Sequence, residues 1–340
     1  MRLSFCVLSL GLLLLACGGQ TDQEAVQFFQ KANFSSRQGD YREAIRLYSE
    51  AIEKKDDFID AYNNRGLAYR QVGDLDQALS DFDRATQLKN EYWEAWYNRS
   101  QVLAARGKWR ESLGDLQRLP TAYRDSVYVL IALGTAHVQL NNHAAALAEF
   151  DRALRLDAKN PEAYVNRGFL FFRENQFARA ETDFRQALDI DPDQHFALNN
   201  LSLIEARRGA YQKALQLVNR AVMLKPGQAT YLNNRGYYLL ETNQLQAGLQ
   251  SVESSLRLDD TNAWAWRNRG IYYFKTAKFS EALADFQKAE RLDPAVERIY
   301  YYLGEAYRAV RQKAEACAAY RRGQQLGDSL AAKQSTAYCR

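Results

Sequence analysis

Residues 61–88 read AYNNRGLAYRQVGDLDQALSDFDRATQL and residues 265–294 read AWRNRGIYYFKTAKFSEALADFQKAERLDP. The two stretches stand six steps of 34 residues apart, and the same step runs through the chain, with units starting at Ala25, Ile59, Trp93, Val127, Pro161, His195, Ala229, Ala263 and Glu297. Slot 8 of every unit is small (Ala32, Gly66, Ser100, Gly134, Gly168, Ser202, Gly236, Gly270, Gly304). Slot 20 is small as well, from Ala44 and Ala78 to Ala282 and Ala316. Slot 4 is large and apolar or aromatic, as in Phe28, Tyr62, Trp96 and Trp266. A fixed period of this size marks a solenoid of stacked supersecondary units.

Each unit reads as two helices, whose large residues at slots 4, 11 and 24 face small ones at slots 8, 20 and 27 and so allow close approach. Gly or Asn fills slot 15 in the first seven units, where a left-handed residue ends a helix. Asp191-Pro192, Lys225-Pro226 and Asp293-Pro294 then close second helices. The two quoted stretches resemble the tetratricopeptide repeat family. The resemblance covers residues 25–330 and implies an all-α fold. Nine helix pairs would stack as a right-handed superhelical α-solenoid, with first helices lining a concave groove and residues 331–340 forming a C-terminal capping helix. Pro120 interrupts the second helix of unit 3, which predicts either a shortened helix with the register kept or a hinge between units 3 and 4.

Arg2, an apolar run and Leu14-Leu15-Ala16-Cys17 form the N-terminus. This run is short for a membrane span and ends in small residues, as a cleaved signal does. It resembles the lipobox of bacterial lipoproteins, which implies a signal peptide over residues 1–16 and lipidation of Cys17. Residues 17–24 would be the lipidated cysteine and a short linker, and the protein would sit in the bacterial cell envelope, on the outer membrane facing the periplasm or on the cell surface. With Cys6 removed and Cys17 lipidated, Cys317 and Cys339 remain. In an exported compartment they are expected either to form a disulfide or to meet as buried thiols.

The chain has 45 Lys+Arg against 41 Asp+Glu, a net charge of +4 without a basic run, so electrostatic binding of nucleic acid is not expected. Arginine recurs at slot 7 (Arg65, Arg99, Arg167, Arg235, Arg269), and slot 23 is acidic in four of those units (Asp81, Asp115, Asp183, Asp285). Where slot 7 is Leu133, Leu201 or Leu303, slot 23 is Glu149, Leu217 or Ala319. Arginine and aspartate tend to come and go together, which predicts an ion pair inside each repeat.

Family geometry would put slots 2, 5, 6, 9, 12 and 13 on the groove. Slot 6 is asparagine at Asn64, Asn98, Asn166, Asn200, Asn234 and Asn268. Such a row resembles the peptide-gripping ladder of O-linked N-acetylglucosamine transferases, and an amide can both donate to and accept from a peptide backbone. The alternative is that each asparagine bonds its neighbouring helix. Aromatic residues at groove slots include Tyr97, Phe169, Tyr237, Trp264 and Tyr301, among basic residues such as Arg207, Arg267 and Arg298. The carboxylate clamp of chaperone-binding repeats is not met: units 1–3 present Phe29, Asn33, Asn64, Glu94 and Asn98 at its positions.

His137, His143 and His195 are the only histidines and none is paired at metal spacing; His137 takes a core slot and the other two fall at turns. No cofactor, metal or catalytic residue is expected. The sequence therefore points to a lipid-anchored adaptor for a protein or extended peptide, like the tetratricopeptide lipoproteins that serve barrel assembly, pili or murein hydrolases. The other readings are a peptidoglycan-fragment-binding protein and a localisation factor for an envelope enzyme.

Overall fold

Small residues opposite large ones let paired helices close on each other, and the computed structural model is built from such pairs. It describes residues 8–339, with side chains from residue 21 to 339, as twenty helices and no strand among the described residues. Residues 1–16, expected from the sequence to be a signal segment, and Cys17 lie outside the residues whose side chains are described.

The chain forms two compact units, residues 1–166 and 167–340. In the first, α1 (Leu8–Arg37) pairs with α2 (Tyr41–Lys54) and α3 (Ile59–Val72) with α4 (Leu75–Leu88). There follow α5 (Trp93–Ala105) with α6 (Trp109–Arg118), a single turn α7 (Thr121–Arg124), and α8 (Val127–Gln139) with α9 (His143–Leu156). The unit boundary falls within α10 (Pro161–Arg173). The second unit continues with α11 (Phe177–Ile190), then α12 (His195–Arg207) with α13 (Tyr211–Leu224) and α14 (Ala229–Glu241) with α15 (Leu245–Leu258). It ends with α16 (Ala263–Lys275) and α17 (Phe279–Leu292), α18 (Ile299–Ala309) and α19 (Lys313–Gln325), and a last helix α20 (Ser329–Tyr338).

Inside each hairpin the slot-24 side chain lies over the slot-8 residue. A Cβ on Gly66 would stand 2.8 Å from Cε1 of Phe82, and one on Gly270 2.5 Å from Cε1 of Phe286. Both rings are fully buried, so the missing methyl is what seats them. Slot 15 takes positive φ throughout: glycine at 39, 73, 107 and 209, asparagine at 141, 175 and 243. Register imposes the same conformation on Ala277 (φ 59°) and Arg311 (φ 62°), where no glycine or asparagine announces it.

The slot-7 arginines pair within their hairpins. Arg65 reaches Asp81 through Nε (2.8 Å) and Nη2 (2.7 Å), and Arg269 reaches Asp285 through the same atoms at 2.7 and 2.8 Å. Arg99–Asp115 and Arg167–Asp183 repeat this bidentate geometry. In unit 7, Arg235 Nε donates instead to Ser251 Oγ at 2.9 Å. Four arginines of the row thus meet carboxylates of their own hairpins.

At Pro120 the helix ends early, α7 makes one turn, and α8 resumes on register at Val127 and packs on α6. Leu119, only 1% exposed, fills the break, so the shortened-helix reading describes this site. Within the linker segment, residues 21–24 are helical and continue into the first repeat as part of α1. Glu24 and Asp22 reach Lys54 (2.7 Å) and Lys55 (3.8 Å) at the end of α2, which draws this turn onto the first hairpin. No described helix is long and apolar enough to cross a membrane. At the other end α20 packs on α19, Asp328 caps it by accepting from the Leu330 and Ala331 amides, and a disulfide joins Cys317 to Cys339.

Candidate functional site

First helices run side by side, so groove slots of successive repeats converge. In the second unit they enclose a cavity of about 630 Å³ between α12, α14 and α16, closed at one end by the turn before α18. Its lining falls mostly on slots 2, 5, 6, 9, 12 and 13: Arg207, Asn233, Tyr237, Trp264, Arg267 and Tyr302 are typical.

Arg267, at a groove slot as the sequence placed it, is nevertheless only 5% exposed. Its guanidinium lies within cation–π distance of two rings, 4.6 Å from the Trp264 centroid and 5.2 Å from that of Tyr237. Nε and Nη2 donate to Asn268 Oδ1 at 3.1 and 2.8 Å, and Nη1 donates to the Glu297 carbonyl at 2.9 Å. No carboxylate is paired with it among the described residues. Burial lowers its pKa from the usual arginine value, though an arginine in a protein stays charged. Burial also raises the Tyr237 phenol and pushes Tyr302 up to about 12, so both remain neutral donors near neutral pH.

The asparagines form a relay between neighbouring first helices. Asn268 Nδ2 donates to Asn233 Oδ1 (2.8 Å), Asn234 Nδ2 to Asn199 Oδ1 (2.9 Å), and Asn199 Nδ2 to Asn200 Oδ1 (3.4 Å). In the first unit Asn98 donates to Asn63 (2.9 Å), Asn64 to Asn33 (3.1 Å), and Asn166 to the Glu162 carbonyl (2.8 Å). One side of most slot-6 amides is therefore engaged between helices, which is the alternative the sequence left open. The acceptors Asn63, Asn199 and Asn233 stand at slot 5. The repeated Asn-Asn pairs 63–64, 199–200 and 233–234 were a signal available in the sequence.

Among the other groove aromatics, Trp264 and Phe169 are over a third exposed and Phe196 half exposed. Tyr301 packs edge-on to Tyr302 with centroids 5.4 Å apart. Tyr97 is half-buried on α5, and burial raises its phenol. His143 and His195 open helices rather than lie in turns; His195 Nδ1 meets the Tyr231 hydroxyl at 2.8 Å, and burial lowers its pKa.

Among curated proteins none matches this chain. By structure it is similar to the Cut9–Hcn1 hetero-tetramer of the APC/C (TM-score 0.66, 12% identity, 93% of this chain and 76% of that one). PilF of Pseudomonas aeruginosa gives a TM-score of 0.51 at 20% identity, over 62% of this chain and 96% of that one. Yeast Tom70 gives 0.44 at 17% identity, over 93% and 96%. These likenesses are likenesses of fold. Models described as tetratricopeptide repeat match residues 59–92, 131–195, 166–229 and 263–296, and one described as TPR repeat matches 37–73. With the 34-residue period realised as stacked helical hairpins in both units, the chain belongs to the tetratricopeptide repeat family.

Proposed function

We propose that the chain is a lipid-anchored, non-catalytic adaptor of the bacterial envelope that offers the inner face of its first helices to a protein segment. The observation that carries this reading is the open cavity of α12–α16, built from groove slots and holding aromatic rings beside polar donors. Recognition surfaces concentrate aromatic and arginine residues in desolvated pockets of this kind. Lipidation of Cys17 follows from the lipobox resemblance and gives the array a fixed address at the membrane.

Two measurements test the reading. Photo-crosslinking from the cavity rim in intact cells, with benzoylphenylalanine replacing Thr230, should trap a protein adduct that Trp264→Ala weakens. Absence of any adduct in either background refutes the groove. Cys17→Ser should move the chain from the membrane to the soluble fraction; unchanged membrane retention refutes the lipid anchor.

A further inference from the structure

Arginine at slot 5 of unit 8 is unusual in its surroundings. The slot-7 arginines at 65, 99, 167 and 269 each have an aspartate within their own hairpin. Arg267 is more deeply buried than any of them and pairs with none among the described residues. A guanidinium has five N–H donors, and three are engaged by Asn268 and Glu297, so one hydrogen on Nη1 and one on Nη2 remain. Trp264 and Tyr237 hold the guanidinium at cation–π distance and line the cavity with it, so an acceptor entering the cavity can meet the remaining hydrogens beside these rings.

Supporting groups converge on the same space. Asn233 uses its Oδ1 for Asn268 and keeps its amide N–H groups as donors. Arg207 and Arg298 stand exposed at the mouth. Glu297 acts on Arg267 through its charge but is exposed and forms no ion pair with it, so the buried cation is only partly offset, and a ligand that brings a directly bonded carboxylate recovers the rest of that cost on binding.

The geometry points to a carboxylate of the bound protein segment as the occupant of this cavity, seated on the Nη1–Nη2 edge of Arg267, with the adjoining apolar group of the segment against Trp264. A planar acceptor with two oxygens suits a planar fork flanked by rings. These positions differ from those of the chaperone-type clamp, whose pattern the sequence lacks. The inference rests on the protein-segment reading above and names what in the segment is recognised.

The carboxylate has two sources, a chain terminus and an acidic side chain, and one experiment separates them. The full-length chain in detergent micelles is titrated with fluorescein-labelled randomised dodecapeptides in four forms, read by anisotropy. The forms are a free C-terminus without internal acids, a C-terminal amide with internal Glu, an amide without acids, and an amide with phosphoserine. One of the first two should bind at least tenfold more tightly than the acid-free amide, and Arg267→Met should remove that difference with helicity unchanged. Arg267→Lys, which keeps the charge and loses the fork, should retain less than a third of the preference. Arg298→Gln, an exposed change, should weaken acid binding about threefold. Equal binding of all four forms overturns the carboxylate seat while leaving the peptide groove standing. Preference for phosphoserine overturns it in favour of a phosphopeptide, and binding of none overturns both readings.

Discussion

Unit 7 offers a natural gap in the ion-pair row, and filling it tests the account of the repeat core. Arg235 has Ser251 where its counterparts have aspartate, and burial with no carboxylate to offset it lowers its pKa. In unit 8 the Asp285 hydrogen bond raises that of Arg269 instead. Ser251→Asp should rebuild the bidentate pair seen at Arg269–Asp285, where arginine is 23% and aspartate 7% exposed. The gain is one further charge-assisted bond, about 1.5–3 kcal/mol, against loss of the Ser251 hydroxyl bond to the Leu232 carbonyl (2.8 Å), about 1 kcal/mol. The net is about 1 kcal/mol of added stability. Its strongest check is a cycle with Arg235→Leu, a residue the chain itself carries at slot 7 in Leu133, Leu201 and Leu303. In that background the new aspartate is an uncompensated buried charge, and the coupling should reach about 3–5 kcal/mol. Solenoid stability is local, so amide hydrogen exchange in α14 and α15 is the assay, with protection rising about fivefold in the single variant. Equal effects of Ser251→Asp with and without Arg235 would refute the ion-pair account.

Other expectations are as direct. Ala277→Gly relieves a left-handed alanine at an exposed turn and should raise stability by about 0.5–1 kcal/mol by chemical denaturation, after the loss in unfolded-state entropy is included. Gly270→Ala should cost about 1–3 kcal/mol, because the new Cβ lies 2.5 Å from the fully buried Phe286 ring. Glu181 is held at about 2 by hydrogen bonds from Arg208 and Arg185. A depressed folded pKa contributes stability above about 4.5 that is lost as pH falls toward 2, so acid titration of α11–α12 exchange should flatten in Glu181→Gln. Reducing Cys317–Cys339, which closes a separation of 22 residues, should lower the stability of the α19–α20 end by about 3 kcal/mol, measured with and without dithiothreitol.

Much of the fold was legible because each repeat obeys the same contacts. Small slot 8 against large slot 24, and arginine against aspartate at slots 7 and 23, are both pairings within one hairpin, so composition at fixed spacing reveals them. The left-handed turns at Ala277 and Arg311 were legible only through register, since neither side chain favours the conformation. The cavity slots were readable, yet the burial of Arg267 was not. That burial depends on Trp264 beside it and on Tyr237 and Glu297 from two other repeats, a meeting that one-repeat patterns do not encode. The helical start of α1 was missed for a similar reason: Glu24 and Asp22 gain their lysine partners only once α2 folds back.

The turn alanine and turn arginine sit at the close of the last two hairpins, and Arg298 (φ 62°) at the start of α18 adds a third disfavoured backbone. All three lie toward the terminus that the Cys317–Cys339 crosslink fastens. The crosslink therefore acts where three disfavoured backbone conformations cluster, offsetting their cost by restricting the unfolded chain. Reduction is expected to let opening begin at α20 and move inward toward the hairpin that carries Arg267.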